Sequence, residues 1–341
     1  LILFFCNLNK NIFMKNLFKN YNLLTLLFLG LMTISCSDDD DTTASNPEAG
    51  TIVEIALDTP DLSSLVAALG AADGDLVSVL SSGDFTVLAP TNAAFESFLS
   101  ENGFASLGDV PTDVLANILL NHVIAGSVSS TDLATLGAGY STTNATNADG
   151  DNLSIYFNTS DGVVFNGVSS VAAADVNASN GIVHVVDAVI GLPTVVTFAT
   201  ADPTFETLVA ALTREDHQED FVSILSSSDE PAPLTVFAPT NAAFGDLLSD
   251  LGYSTLAEID LGLLENVLGM HVVPEANVRS GDLTEGMEVV TASDQAITIS
   301  LITAPNITDP NGFVSNIIAV DVQAMNGVVH AIDKVISPLL D

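Results

Sequence analysis

Four of the five histidines recur in pairs: His122 and His184 return as His271 and His330, while His217 has no counterpart. A repeated histidine could be a general base or a metal ligand, because its ring titrates near neutrality and binds cations through either nitrogen. The surroundings point elsewhere. His122 closes an apolar helical face with Leu115, Ile118 and Leu119, repeated as Leu264, Val267, Leu268 and His271. His184 alternates with Ile182 and Val186 on one strand face. Both positions predict burial, with ring nitrogens bonded to backbone or carboxylates. No Cys or second His stands at metal spacing beside them.

Other chemistry is equally sparse. No serine lies in a Gly-x-Ser-x-Gly setting, and no phosphate loop is present. The carboxylates are numerous but scattered, with no close pair marked out. Asn147-Ala148-Asp149-Gly150-Asp151-Asn152 opens like a calcium loop, yet the twelfth position is Asn158 rather than an acid, so a turn between strands is expected. The Asn-x-Ser/Thr sequons at Asn144, Asn158 and Asn306 read as incidental.

Charge restricts the partners. After Cys36 the chain has 43 Asp and Glu against three basic residues, Arg214, Arg279 and Lys334. Such a surface repels phosphate backbones, which excludes nucleic acid. The acidity fits solubility, with weak calcium binding at the surface as the sharper reading and no other cofactor expected. Cys6 and Cys36 are the only cysteines, and Cys6 precedes Met14, the expected start of translation, so no disulfide framework is possible.

Residues 1–36 read as a leader. From Met14 a basic segment with Lys15 and Lys19 precedes an apolar run from Leu23 to Ile34, the pattern of a secretory signal. Its end, Leu31-Met32-Thr33-Ile34-Ser35-Cys36, resembles the lipobox of bacterial lipoproteins, with Thr33 in place of the usual Leu. That resemblance implies acylation of Cys36 and a membrane contact through the lipid alone. Residues 37–48, opening on Asp38 to Asp41, form an acidic tether. The acidic run also resembles the export signal of surface lipoproteins, which implies an outer-membrane protein exposed at the cell surface.

Internal repetition organises the rest. Thr86–Phe95 (TVLAPTNAAF) recurs as Thr235–Phe244 (TVFAPTNAAF), Asn180–Asp187 as Asn326–Asp333, and Leu65–Leu69 as Leu208–Leu212. The order is constant, which marks two copies of one domain, residues 49–192 and 193–341, with almost no linker between them. Within a copy, helices are expected over Pro60–Leu69, over Ala93–Leu99 with Thr91 or Asn92 as cap, and from a Thr112 cap through His122. Strands are expected at Phe85–Leu88, Leu153–Phe157, Val163–Phe165 and Ile182–Val186, with turns at Asp161-Gly162 and Asn311-Gly312.

These blocks resemble the fasciclin domain, a module of cell-surface and matrix proteins, in both copies. The resemblance implies an α/β (α+β) fold, two tandem domains, each a twisted β-wedge of about seven strands with packed helices. Its motif residues here are Thr91, Asn92, His122, Asn180, His184 and Asp187, then Thr240, Asn241, His271, Asn326, His330 and Asp333, all expected to be structural. The family's tyrosine before the central histidine is absent, since Asn121 and Met270 stand there; integrin-type recognition is not carried over. The resemblance implies adhesion without catalysis: a lipoprotein presenting two domains to an extracellular protein or glycan. The alternative is a carbohydrate-binding accessory of a polysaccharide-utilisation system, which would use exposed aromatics such as Tyr140 or Tyr253.

Overall fold

The computed structural model describes residues 49–229, 231–302 and 304–339. The leader, Cys36 and the acidic tether lie outside the described residues.

The first repeat opens with helical layers. Helix α1 (Ile52–Asp58) starts at a capping box in which the Thr51 hydroxyl and the Glu54 carboxylate satisfy each other's backbone N–H groups. A single 3-10 turn, Pro60–Leu62, leads into α2 (Ser63–Ala71), and α3 (Leu76–Ser81) follows an Asp75 cap. Strand β1 (Phe85–Pro90) ends at a proline, and Thr91 then caps α4 (Asn92–Glu101). Helix α5 (Thr112–Asn121) begins at Thr112 itself. The expected Thr112 cap is therefore corrected: Pro111 holds the cap position without a side-chain bond, because its fixed φ sets the entry. The second repeat uses Asp260 there.

Strand β2 (Val123–Ala125), helix α6 (Ser130–Leu136) and strands β3 (Ala138–Thr146), β4 (Asn152–Asn158), β5 (Val164–Phe165), β6 (Ser169–Ala178) and β7 (Gly181–Val186) complete this repeat. The seven strands close in the order β1 to β7, with β7 parallel to β1 and the other pairings antiparallel. Leu88, Ile155, Phe157, Phe165 and Ile190 fill the barrel. Leu62, Leu65, Phe95, Leu115 and Leu119 pack the helices against the outside of β1 and β7.

The second repeat contains α7 (Val195–Ala201), a 3-10 turn at Pro203–Phe205, α8 (Glu206–Leu212), α9 (Phe221–Ser226), β8 (Leu234–Pro239), α10 (Asn241–Leu251), α11 (Leu261–Met270) and β9 (Val272–Val273). Then come β10 (Glu288–Val290), β11 (Ala296–Ser300), β12 (Asn306–Thr308), β13 (Val314–Ala324) and β14 (Gly327–Ile332). Its seven strands follow the same pairing, but β9 and β10 are not joined, so the sheet stays open. Each repeat is thus a seven-stranded sheet with packed helices, an α+β architecture.

One glycine per repeat is sterically required. A Cβ on Gly181 would lie 1.9 Å from the Phe85 carbonyl oxygen, and one on Gly327 would lie 2.0 Å from that of Leu234. Both have positive φ, 140° and 154°, where side chains are disfavoured. This close approach lets the turn between β6 and β7 sit on the start of β1.

Candidate functional site: the motif clusters and the seam between repeats

Each motif asparagine ties separate segments together. Asn180 Oδ1 accepts the Ile52 N–H at 2.9 Å, and its Nδ2 donates to the Leu80 carbonyl at 2.7 Å. Asn326 does the same with the Val195 N–H and the Leu225 and Ser227 carbonyls. The start of the first helix and the end of the third are thereby fixed to the last hairpin. Asn92 accepts the Ser64 N–H and donates to the Pro60 carbonyl; Asn241 accepts the Thr207 N–H and donates to the Pro203 carbonyl. Thr91 and Thr240 cap their helices through Ala94 N–H and Ala243 N–H. Asp187 accepts the Ser170 N–H, and Asp333 accepts the Asn316 N–H, each at 2.7 Å.

The histidines have opposite tautomers in two classes. His122 Nδ1 donates to the Ile118 carbonyl at 2.7 Å, and Nε2 accepts the Ile190 N–H at 2.9 Å. His271 repeats this with the Val267 carbonyl and the Ile336 N–H. One donating and one accepting nitrogen require a neutral ring. Burial pushes both pKa values down to about 4, against a smaller upward pull from the carbonyl each ring faces. His184 has the reverse arrangement: Nε2 donates to the Val128 carbonyl, and Nδ1 accepts the Asp175 N–H. His330 matches it with the Val278 carbonyl and the Asp321 N–H. Burial lowers the His330 pKa, partly offset by its bond to the Val278 carbonyl and by Asp321. In all four rings both nitrogens are engaged by backbone, so no lone pair remains for proton abstraction or metal ligation. His217 bonds Glu265 and the Ala211 carbonyl and packs edge-on to Phe221.

Three kinds of participant escaped the sequence reading. Asp175 and Asp321 occupy left-handed backbone at φ 58° and 60°, in the bulged part of β6 and β13. Their carboxylates accept the backbone N–H and hydroxyl of Ser130 and Ser280. The buried hydroxyls of Thr86 and Thr235 bridge the next loop, donating to Gly126 and Ala276 carbonyls and accepting Val128 and Val278 N–H groups. Asn121, in the position of the family's tyrosine, is buried and donates to the Gly191 carbonyl in the connection between repeats.

That connection is short, and the two repeats pack directly. Tyr140 is not the exposed aromatic expected: it packs against Tyr156 and edge-on to Phe198 of the second repeat. Its hydroxyl donates to Asp202 at 2.9 Å, and desolvation raises the phenol pKa well above its ordinary value. The Gln323 N–H donates to the Ser154 hydroxyl. Residues 147–151 form the turn between β3 and β4, with Asn147 Oδ1 accepting the Asp149 and Asp151 N–H groups. Arg279 pairs with Asp151, and Asn277 reaches Asp149 and Asp151, so the acidic turn receives the second repeat. Among the described residues no group of three or more His, Cys, Asp or Glu side chains is placed to hold a metal ion.

The Fasciclin domain family matches residues 60–193 and 203–338. Protein sll1483 of Synechocystis is 36% identical over 178 residues, covering 50% of this chain and 93% of its own. The cell surface glycolipoprotein MPB83 of Mycobacterium bovis is 40% identical over 83 residues, 23% of this chain and 36% of its own. A solved FAS1 domain pair from the insect cell adhesion molecule Fasciclin I overlaps 82% of this chain and 97% of its own, at 20% identity and a TM-score of 0.48. The two matched segments take in the repeated motifs whose bonds recur residue for residue, and the chain belongs to the fasciclin domain family, with two copies in tandem.

Proposed function

We propose that this chain is a non-enzymatic adhesion or interaction lipoprotein, anchored through Cys36 and presenting two fasciclin domains at the outer cell surface to an extracellular protein or glycan. The observation that carries this reading is the fate of the repeated histidines. Residues that recur as catalytic groups would keep a free nitrogen; these spend both on holding the fold. The relative MPB83 is a cell surface glycolipoprotein by name, and the acidic tether fits the same location here. Palmitate labelling lost in Cys36→Ala, together with protease release from intact cells, tests the anchoring and exposure. Deletion of the gene should weaken attachment of cells to matrix or to one another, and unchanged attachment would overturn the adhesion reading.

The carbohydrate-accessory alternative is weakened by Tyr140, which is engaged in the seam. Tyr253 remains partly exposed, and binding to a glycan array that Tyr253→Ala abolishes would restore that reading.

A further inference from the structure

His217 is the histidine without a counterpart, and its ring is set differently from the other four. Each of those has one nitrogen on a carbonyl and the other on a backbone N–H. In His217 both nitrogens face acceptors: Nδ1 meets the Glu265 carboxylate at 3.1 Å and Nε2 the Ala211 carbonyl at 2.8 Å. The side chain is only 4% exposed, so water has little access to either nitrogen. A neutral ring carries a single N–H and would turn a lone pair on one of the two oxygens.

Those bonds hold a segment in which the repeats differ. Asp75 caps α3 and Asp220 caps α9 in the same way, each accepting from a serine N–H, Ser78 or Ser223. In the first repeat the connection before the cap is tied by a backbone bond, Asp73 N–H to the Thr112 carbonyl. In the second, side chains tie it. Arg214 donates to the Leu256 and Ile259 carbonyls and pairs with Asp216. His217 joins the end of α8 to α11 and packs edge-on to Phe221, the first residue of α9. The far end of α9 is fixed separately, by Asn326 on the Leu225 and Ser227 carbonyls. The charged groups around the ring are Glu265 and Asp260 on α11, Arg214 and Asp216 on its own segment, and Asp220 at the start of α9. Four carboxylates thus face one guanidinium, and a proton on the ring relieves that excess.

We propose that His217 is a proton-operated latch on the start of α9. Docked, the ring and Glu265 hold one proton more than a neutral ring beside an ionised carboxylate. Loss of that proton sets the Nδ1 lone pair against Glu265, and the ring swings out, taking its contact with Phe221 away. Because the docked form binds the extra proton, rising pH drives release. The opening is local, since Arg214 and Asn326 hold the segment on either side without a titrating bond. The first repeat has no such device, and its backbone tie is indifferent to pH. The latch goes beyond the adhesion reading and does not rest on it.

The test uses the full chain. With 15N-labelled histidine, the signal lost in His217→Asn should show both ring nitrogens protonated in the docked form, while the other four histidines show single-proton tautomers. Amide exchange is then read as the ratio of Ile224 to Val79, which donate to the Asp220 and Asp75 carbonyls at matching positions. The ratio cancels the base catalysis common to all amides. It should rise about tenfold across the His217 titration, one proton being linked to opening. In Glu265→Gln the carboxamide accepts from a charged ring and donates to a neutral one, so the segment stays docked in both states and the ratio stays flat. A neutral His217 ring while Ile224 is protected would overturn the latch, as would a flat ratio in the unaltered chain or an equal rise in Glu265→Gln.

Discussion

His122 holds the connection between the repeats: its Nε2 accepts the Ile190 N–H at 2.9 Å, and Ile190 is fully buried inside the first barrel. Protonating that nitrogen would set two donors against each other in a desolvated site. The folded-state pKa of about 4 lies below the ordinary 6.5, so the unfolded chain binds more protons between these values. Stability is therefore fully present above pH 6.5 and is lost as pH falls toward 4. The slope is at most about 1.4 kcal/mol per pH unit for each such histidine. His271 adds an equal term. Urea unfolding at pH 7, 5.5 and 4.5 should show falling midpoints, and His122→Asn should flatten this dependence while lowering stability at pH 7. A midpoint constant over that range would contradict the neutral-ring assignment.

The asparagine clamps should rank by how completely they are enclosed. Asn326 is buried and makes bonds of 3.0, 2.8 and 2.8 Å to three backbone groups. Asn180 is half-buried, and its third bond stretches to 3.4 Å. Removing a side chain that serves buried backbone groups leaves each of them unpaired, at about 1–3 kcal/mol apiece. Asn326→Ala should thus cost more than Asn180→Ala in chemical denaturation, and the reverse order would show that the clamps are not the main tie between helices and hairpin.

Two contacts across the seam should differ sharply in weight. Tyr140 and Asp202 form a largely desolvated bond, whereas Arg279 and Asp151 pair where the arginine is nearly half exposed. Exposed ion pairs contribute only about 0–1 kcal/mol. Tyr140→Phe leaves the shielded Asp202 carboxylate short of a donor and should cost about 1–3 kcal/mol. Arg279→Ala should stay under about 1 kcal/mol. Calorimetry of the two variants checks this, and small-angle scattering should show a loosened pair in Tyr140→Phe. Equal effects would mean that the seam is held by charge.

How much of this was legible depended on periodicity. The face of α5 and the alternation in β7 carry strong apolar spacing, so the helix, the strand and the placement of their histidines could be read directly. Strand β3, with the sequence AGYSTTNAT, and β6, with SSVAAADVNA, lack that alternation because one side meets another domain or solvent through small residues. The Asp175 cluster did leave a trace: Asp175-Val176-Asn177-Ala178 returns as Asp321-Val322-Gln323-Ala324, five residues before each motif asparagine. The seam left none. Tyr140 and Asp202 are distant in sequence and belong to no repeated motif, so only the folded chain brings them together.

The glycines of the last hairpin provide the severest test of the repeat's design. At Gly181 a methyl group would penetrate the Phe85 backbone, and at Gly327 that of Leu234. Neither obstacle is a side chain that can swing aside. Relief requires β1 and β7, or β8 and β14, to part where they pair in parallel, starting at Phe85↔Gly181 and Leu234↔Gly327. Gly181→Ala and Gly327→Ala should each destabilise by roughly 3 kcal/mol or more, combining clash with strain at positive φ. Gly150→Ala is the control, since its added methyl meets nothing within 4 Å and only its φ of 86° opposes the change; it should cost about 1 kcal/mol. Thermal unfolding of the three variants separates the terms. If Gly181→Ala melted with Gly150→Ala, the close approach of hairpin and strand would not be what fixes the start of the sheet.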